Sequence, residues 1–111
     1  MIANIFSGLP QLLQEECFDT LAGSGAVRIE RIVSQGQATP DGEWYDQELD
    51  EWVLLLAGSA GLQLDGDTDP RRLAAGDYLL IPAHCRHRVV WTDQERQTVW
   101  LGVHFPGSTP P

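Results

Sequence analysis

Apolar and polar residues alternate with a period of two along most of the chain, which is the pattern of strands that bury one face. Residues 27–34 (VRIERIVS) are a clear case, with Val27, Ile29 and Val33 on one parity. Turn signals rich in glycine, proline and aspartate interrupt the pattern about every 8–12 residues. We therefore predict strands over 27–34, 44–47, 51–57, 61–65, 78–81, 86–92 and 98–105, with an ambiguous short segment over 71–75.

One stretch near the start departs from this pattern. Residues 10–17 (PQLLQEEC) are predicted to form a short amphipathic helix, and a glycine-rich loop over 21–26 follows it. Many short strands with almost no helix indicate an all-β fold, either an immunoglobulin-like sandwich or a jelly roll. Periodicity alone does not choose between these two folds.

The composition limits the classes of function. A chain of 111 residues with 42% hydrophobic residues is long enough for one packed domain. Its net charge of −9 argues against nucleic acid or an anionic membrane as a partner. No apolar run approaches the ~20 residues of a membrane span and no signal peptide is apparent, so we expect a cytoplasmic location. We expect Cys17 and Cys85 to be free thiols, because they stand alone and far apart.

The segment 76–87 (GDYLLIPAHCRH) carries the most specific pattern. A glycine–aspartate turn precedes a short apolar run, and Pro82 ends that run because proline cannot donate to a sheet ladder. In the returning strand, alternation places His87, Val89 and Trp91 on one face. A histidine on the apolar face of a strand is either a ligand or a residue with a buried partner.

The spacing from Gly76 through Pro82 to His87 resembles the second signature of the cupin superfamily, which is glycine, five residues, PxG, two residues and histidine. A matching first signature, glutamate, six residues and glycine, runs from Glu51 to Gly58, and 17 residues separate the two. The chain thus resembles a small single-domain bacterial cupin of the RmlC-like jelly-roll superfamily. The resemblance implies a double-stranded β-helix barrel over 27–106. We expect an N-terminal extension over 1–26, which contains the short helix, and a tail over 107–111.

The resemblance also implies a metal site, which in cupins normally holds three histidines and one glutamate. His87 and Glu51 match two of these four positions, but the usual HxH before the glutamate is missing. Counting back from Glu51 gives Tyr45 and Gln47, or Trp44 and Asp46 in the shifted register. Imidazole and carboxylate suit a divalent Fe, Mn, Ni, Zn or Cu ion. The candidate ligands are His87, Glu51, Gln47, His84 and His104.

The sequence does not decide the orientation of two of these histidines, His84 and His104. His84 replaces the glycine of PxG, so it either folds over the pocket or faces water. His104 lies on the last predicted strand, which a cupin barrel places beside the strand of Glu51. Val99, Leu101 and Val103 form the apolar parity of that strand, which favours an outward orientation of Trp100 and His104. Trp100 and Gly102 share the parity of His104 and are not polar, so this pattern leaves the orientation of His104 open.

The strand that begins at Glu51 is apolar on both of its faces. If Glu51 faces the barrel, alternation sends Trp52, Leu54 and Leu56 outward. An outer face this apolar must be covered. The resemblance implies a homodimer through this face, and the alternative is cover by the N-terminal segment of the same chain.

Three functions are compatible with these residues, and the sequence does not decide whether the protein is an enzyme. The first is a metal-dependent pocket that acts on a small organic molecule by oxygen activation, isomerisation or decarboxylation. The second is a metal-free binding or isomerase-type pocket, in which His87 acts as general base and Tyr45 or Tyr78 as acid. The third is a dimeric barrel without catalysis, which the missing HxH favours.

Overall fold

Eight antiparallel strands form two sheets in the computed structural model, which describes residues 1–11 and 14–107. A five-stranded sheet has the order β1-β2-β8-β3-β6 and a three-stranded sheet the order β5-β4-β7, so the all-β prediction is confirmed. In the part of the chain so described, no helix is long and apolar enough to cross a bilayer. The strands are β1 (Cys17–Ser24), β2 (Val27–Ser34), β3 (Asp50–Ala57), β4 (Ser59–Leu64), β5 (Arg71–Ala74), β6 (Tyr78–Ile81), β7 (His87–Thr92) and β8 (Thr98–Phe105).

The helix predicted over 10–17 is wrong. The described residues of this stretch are not helical, and β1 begins at Cys17; Leu12 and Leu13, and residues 108–111 of the predicted tail, lie outside the described residues. β1 also occupies most of the predicted glycine-rich loop and pairs with β2 along its length. A helix of about two turns is marginal on its own. From Cys17 onward, pairing with β2 satisfies the backbone groups on one side of β1, so a hairpin forms where a loop was predicted.

The other predicted strands are found within two residues of their expected ends, with one exception. Over 44–47, only Tyr45 pairs, through an isolated bridge with His87. The Tyr45 N–H donates to the His87 carbonyl at 2.8 Å, and the His87 N–H donates to the Tyr45 carbonyl at 3.1 Å. This bridge fixes the 44–47 segment beside the start of β7.

The core lies between the two sheets and is built largely from one face of β3 and one face of β4. Val53 and Leu55 are buried in it, together with Leu62 from the opposite sheet. Because β3 alternates, Glu51 lies on this inward face as predicted, whereas Trp52 and the other even-numbered residues of β3 are only partly buried on the outer face.

A bulge in β7 changes the direction of one tryptophan. The pairing of β4 with β7 skips Val90, and an extra residue of this kind shifts the alternation that follows it. The prediction that Trp91 shares a face with His87 is therefore wrong. Its indole lies over Gly61, with the Arg72 guanidinium 5.6 Å from the ring centroid. A side chain at Gly61 would collide with this ring, so glycine makes room for it.

Candidate functional site

A cavity of about 200 Å³ lies between the two sheets. It is somewhat larger than the engineered cavity of about 150 Å³ that holds benzene, so it has room for a molecule with one small ring. Polar side chains line part of the wall, and both sheets contribute apolar residues to the rest. The apolar residues are Phe18, Ile32, Val53, Leu62, Ile81, Val89 and Trp100.

Glu51 of β3 and His87 of β7 meet inside this cavity. They come from different sheets, and their exposed fractions are only 7% and 5%. The His87 Nε2 atom is 3.6 Å from Glu51 Oε1, and Nδ1 is 3.0 Å from the carbonyl oxygen of Cys85. Because a carbonyl can only accept, Nδ1 carries a hydrogen. Nε2 is therefore the ring atom that is available to exchange a proton in the cavity.

His104 also faces the cavity, so the outward orientation that the apolar pattern of its strand favours is wrong. Its side chain is 4% exposed, and Nε2 lies 3.4 Å from both Glu51 Oε2 and Glu30 Oε2. Trp100 shares this inward face and is buried as well. The rule that apolar parity marks the inside fails on β8, because the carboxylates of Glu30 and Glu51 face His104 inside the barrel.

Five charged or titratable side chains form a continuous row along the cavity wall, which we call the charge row: Arg28, Glu30, His104, Glu51 and His87. The row begins with an ion pair of 2.6 Å between Arg28 and Glu30. His104 lies between Glu30 and Glu51, and Glu51 lies between the two imidazoles. When both imidazoles are protonated, the charges alternate in sign, so that each has an opposite neighbour.

Tyr45 and Gln47 line the same cavity. The Tyr45 ring stacks on His87, with ring centroids 5.6 Å apart. Burial raises the pKa of Tyr45, and the carboxylates of Glu16 and Glu51 raise it further, so the phenol is protonated at neutral pH. Among the described residues, the buried Oε1 atom of Gln47 has no hydrogen-bond partner.

His84 does not line the cavity with the other candidate ligands. It lies in the turn after β6 with a φ of 61°, the left-handed conformation that the glycine of a PxG motif adopts easily. Its Nδ1 atom is 2.8 Å from Asp46 Oδ1, in a pair whose side chains are 67% and 52% exposed. The alternative ligand Asp46 is thus also engaged at the surface rather than in the cavity.

Three charged residues of the cavity wall were missed by the sequence analysis. Arg28 and Glu30 share one parity of β2 with Ile32, and that apolar residue was the available sign that their face could point inward. Glu16 precedes β1, and no local pattern marks it. The Ser34 hydroxyl donates to its carboxylate at 2.5 Å, and burial raises the pKa of Glu16 despite this hydrogen bond.

Gly102 is a further missed residue, and it keeps space open at the centre of the charge row. A Cβ atom at this position would lie 3.4 Å from Glu51 Oε2, 3.5 Å from Ile32 Cδ1 and 3.9 Å from His104 Nε2. These are ordinary contact distances, so a methyl group would fill the gap between the carboxylate and the imidazole.

The charge on His87 should make stability depend on pH. Burial lowers the pKa of His87, but the Glu51 carboxylate and the Cys85 carbonyl raise it more, and the net shift is upward. A raised folded-state pKa stabilises the fold below the unfolded value and loses that effect as pH rises through the folded value. We expect the wild type to lose stability relative to His87→Asn between about pH 6 and about pH 9.

Urea unfolding of both proteins at the two pH values measures this difference. Asparagine can still donate to the Cys85 carbonyl but cannot carry a charge, and all other titrating groups are common to both proteins. Parallel pH profiles for the two proteins would show that the imidazolium does not stabilise the fold.

The donor atoms of the cavity have the chemistry of a transition-metal site but not its arrangement. Imidazole nitrogen and carboxylate oxygen are suitable ligands. However, His87 and His104 approach different oxygens of Glu51. Within residues 1–11 and 14–107, no three His, Cys, Asp or Glu side chains are grouped so that they could hold a metal ion. As placed, these side chains pair with one another and do not converge on one point.

Comparison with known proteins agrees with this architecture. A family model described as Cupin domain matches residues 30–104. A crystal structure of a proposed mannose-6-phosphate isomerase from Ralstonia eutropha JMP134 is 48% identical, with a TM-score of 0.94, over 96% of this chain and 99% of that chain. None of the curated proteins compared with the chain matches it.

More distant solved structures share the fold. A cupin superfamily protein from Desulfitobacterium hafniense DCB-2 has a TM-score of 0.72 at 20% identity, over 89% of this chain and 84% of that chain. An RmlC-like cupin family protein with a double-stranded β-helix fold, from Methanocaldococcus jannaschii, has a TM-score of 0.68 at 16% identity, over 96% and 93%. The family match covers both signatures and the strands of Glu51, His87 and His104, and the chain belongs to the cupin family.

Proposed function

We propose that the cavity binds a small organic molecule and transfers a proton to or from it without a metal, as an isomerase-type cupin does. One observation carries this proposal: the His87–Glu51 pair lies buried in a cavity with apolar walls and room for a small molecule. A buried imidazole beside a carboxylate is a common arrangement for general acid–base catalysis.

His87 is the proposed base. Its Nδ1 hydrogen is held by the Cys85 carbonyl, which leaves Nε2 to take up a proton in the cavity. Once protonated, the imidazolium lies 3.6 Å from the Glu51 carboxylate, which stabilises its charge. The Cys85 carbonyl thus fixes the tautomer from Nδ1, as the aspartate does in a Ser-His-Asp triad, whereas Glu51 stabilises the charge from the Nε2 side.

Tyr45 is the proposed acid, because its phenol is protonated at neutral pH and its ring lies against His87. Base and acid would then stand side by side at one wall, as a reaction that moves a proton between neighbouring atoms requires. The Ralstonia eutropha protein is named as an isomerase, and it is 48% identical to this chain over almost its full length. This similarity also supports an isomerase activity.

A thermal-shift screen of small metabolites tests the proposal. At about 100 times its Kd, a ligand of the folded state adds about 2.7 kcal/mol to the free energy of unfolding and raises Tm. We expect His87→Gln to abolish the rise and His84→Gln, the matched exposed histidine, to preserve it. For each ligand found, NMR in deuterated water then measures whether the wild type exchanges a carbon-bound proton of the ligand.

Two results would contradict the proposal. If His87→Gln keeps every ligand-induced rise in Tm, the pair does not belong to a binding site. If ligands bind but the wild type exchanges none of their carbon-bound protons, the cavity binds without proton transfer.

A site for a transition-metal ion is the second candidate. The observation that favours it is a pair of buried donor atoms, His104 Nε2 and Gln47 Oε1, that lack hydrogen-bond partners among the described residues. Imidazole, carboxylate and amide oxygen together could hold Fe, Mn, Ni, Zn or Cu if the side chains rearranged. Elemental analysis of protein purified without a histidine tag, before and after soaking in these metals, decides between the two candidates.

We also propose that the protein is a homodimer that pairs through the outer face of the five-stranded sheet. Trp52 and Leu54 of β3 pair with Leu80 and Tyr78 of β6, and the outward side chains of this β6 edge are exposed. The N-terminal segment contacts β2, where the Arg31 guanidinium donates to the carbonyls of residues 5 and 7. A second copy could bury the remaining apolar surface.

Leu80→Glu should convert the dimer into a monomer, because a carboxylate would be buried in the apolar contact. Sedimentation equilibrium measures the change in mass. Leu21→Glu is the matched control, since both leucines are 48% exposed and Leu21 lies on β1 at the opposite edge of the sheet. A wild type that sediments as a monomer would overturn the dimer.

A further inference from the structure

The cavity wall leaves no cation free for an anionic ligand. Of the described arginines, only Arg28 lines the cavity, and it already pairs with Glu30 at 2.6 Å. Three carboxylates share the wall, those of Glu16, Glu30 and Glu51. When the imidazoles are neutral, the wall therefore has a net negative charge. When they are protonated, His87 and His104 form ion pairs with the carboxylates of Glu30 and Glu51. Recognition of phosphate normally needs arginine or lysine that is free to pair with it.

The unsatisfied polar atoms of the wall indicate what the ligand carries instead. Gln47 Oε1 is an acceptor and His104 Nε2 is a donor or an acceptor, and neither of these buried atoms makes a hydrogen bond in the described structure. His104 Nε2 lies 3.4 Å from an oxygen of Glu30 and of Glu51, but these contacts are ion-pair distances and not hydrogen bonds. The His104 side chain is 96% buried (4% exposed) and lines the cavity. A hydroxyl group both donates and accepts, so ligand hydroxyls can satisfy either atom.

The rest of the wall fits the carbon skeleton of such a ligand. Trp100 and Val53 add apolar surface beside the charge row on the five-stranded sheet, and Leu62 adds it from the other sheet. Building on the function proposed above, we infer that the cavity selects an uncharged, hydroxyl-bearing molecule of monosaccharide size and rejects its phosphorylated form. The apolar residues contact its C–H face, and the polar atoms contact its hydroxyls. A phosphate group would lose its water and meet Glu30 and Glu51 without a free cation in return.

Isothermal titration of the full chain with matched probes tests this selectivity. The probes are aldohexoses, mannose among them, each as the free sugar, the 6-phosphate and the 2-amino derivative. We expect at least one free sugar to bind, with an affinity at least about tenfold higher than that of its phosphate, since like-charge contacts cost more than the 1.4 kcal/mol of a tenfold change. The amino derivative should bind no more tightly than the free sugar, because the carboxylates of the wall already contact Arg28, the two imidazoles and the Ser34 hydroxyl.

A variant isolates the cause. Glu30→Gln removes one carboxylate and releases Arg28, so it should narrow the preference for the free sugar over its phosphate by about tenfold or more. Glu48→Gln removes an exposed carboxylate that does not line the cavity, and it should leave the preference unchanged.

The outcomes separate this inference from the function that it extends. A sugar phosphate or an amino sugar that binds more tightly than the free sugar overturns the inference. Binding of none of the probes also overturns it. In both cases a ligand whose binding depends on His87 would still support the proposed function, and the absence of any such ligand would reject that function as well.

Discussion

Replacing Glu51 with alanine should lower the free energy of unfolding by about 3 kcal/mol at mildly acidic pH, because removing one member of a buried ion pair leaves the other member uncompensated. Glu51 contacts two buried imidazoles, with 3.6 Å to His87 and 3.4 Å to His104. The raised pKa of His87 keeps its imidazole protonated under these conditions. Urea unfolding monitored by circular dichroism measures the loss.

Two variants show whether the carboxylate itself is responsible. Glu48→Ala removes an exposed carboxylate nearby in the sequence and should change stability by no more than about 0.5 kcal/mol. Glu51→Ala in the His87→Asn background should cost less than in the wild type, since one of its two partners can no longer be charged. Equal losses in the two backgrounds would mean that the pair does not interact.

Replacing Gly58 with alanine should destabilise the protein by about 3 kcal/mol, through strain at a positive φ and a steric clash. Gly58 has a φ of +83°, and an added Cβ atom would meet Thr98 Oγ1, with Thr98 Cα at 2.7 Å and the Gln97 carbonyl oxygen at 2.9 Å. Two of these are backbone atoms of the segment that leads into β8, so they cannot move aside without disturbing the strand.

Gly66→Ala is the control that separates the two causes. Gly66 has a similar φ of +90°, but no neighbouring atom lies within 4 Å of the point that an added Cβ would occupy. We therefore expect a loss of only about 1 kcal/mol from backbone strain at this position. If both variants lose the same free energy in urea unfolding, contact with β8 is not the reason for glycine at position 58.

The strands were predictable from the sequence, because a period of two survives in any strand that buries one face. Glu51 and His87 could be predicted because each lies at the start of a strand, at a spacing that resembles a cupin signature. β1 could not be predicted, because residues 21–26 have the composition of a glycine-rich loop and only pairing with the partner strand β2 favours the extended form. A local pattern contains no information about such a partner.

The site was predicted less completely than the fold, because several of its side chains depart from simple strand alternation. On β8, His104 and Trp100 face inward although the other parity is more apolar, because His104 finds the carboxylates of two neighbouring strands inside the barrel. Trp91 turns away because Val90 is an extra residue in β7, and a bulge depends on the pairing of two strands. Glu16 reaches the cavity from a segment with no regular pattern.

The match to the family begins at residue 30, yet Glu16, Phe18 and Arg28 all line the cavity and precede that residue. Two of the three lie outside β2, on or just before β1, an edge strand with a neighbour on one side only. Substitutions there disturb fewer neighbours than substitutions in the middle of the sheet. Substitutions in β1 and in the residues just before it can therefore change which ligand the cavity binds and leave the rest of the barrel unchanged.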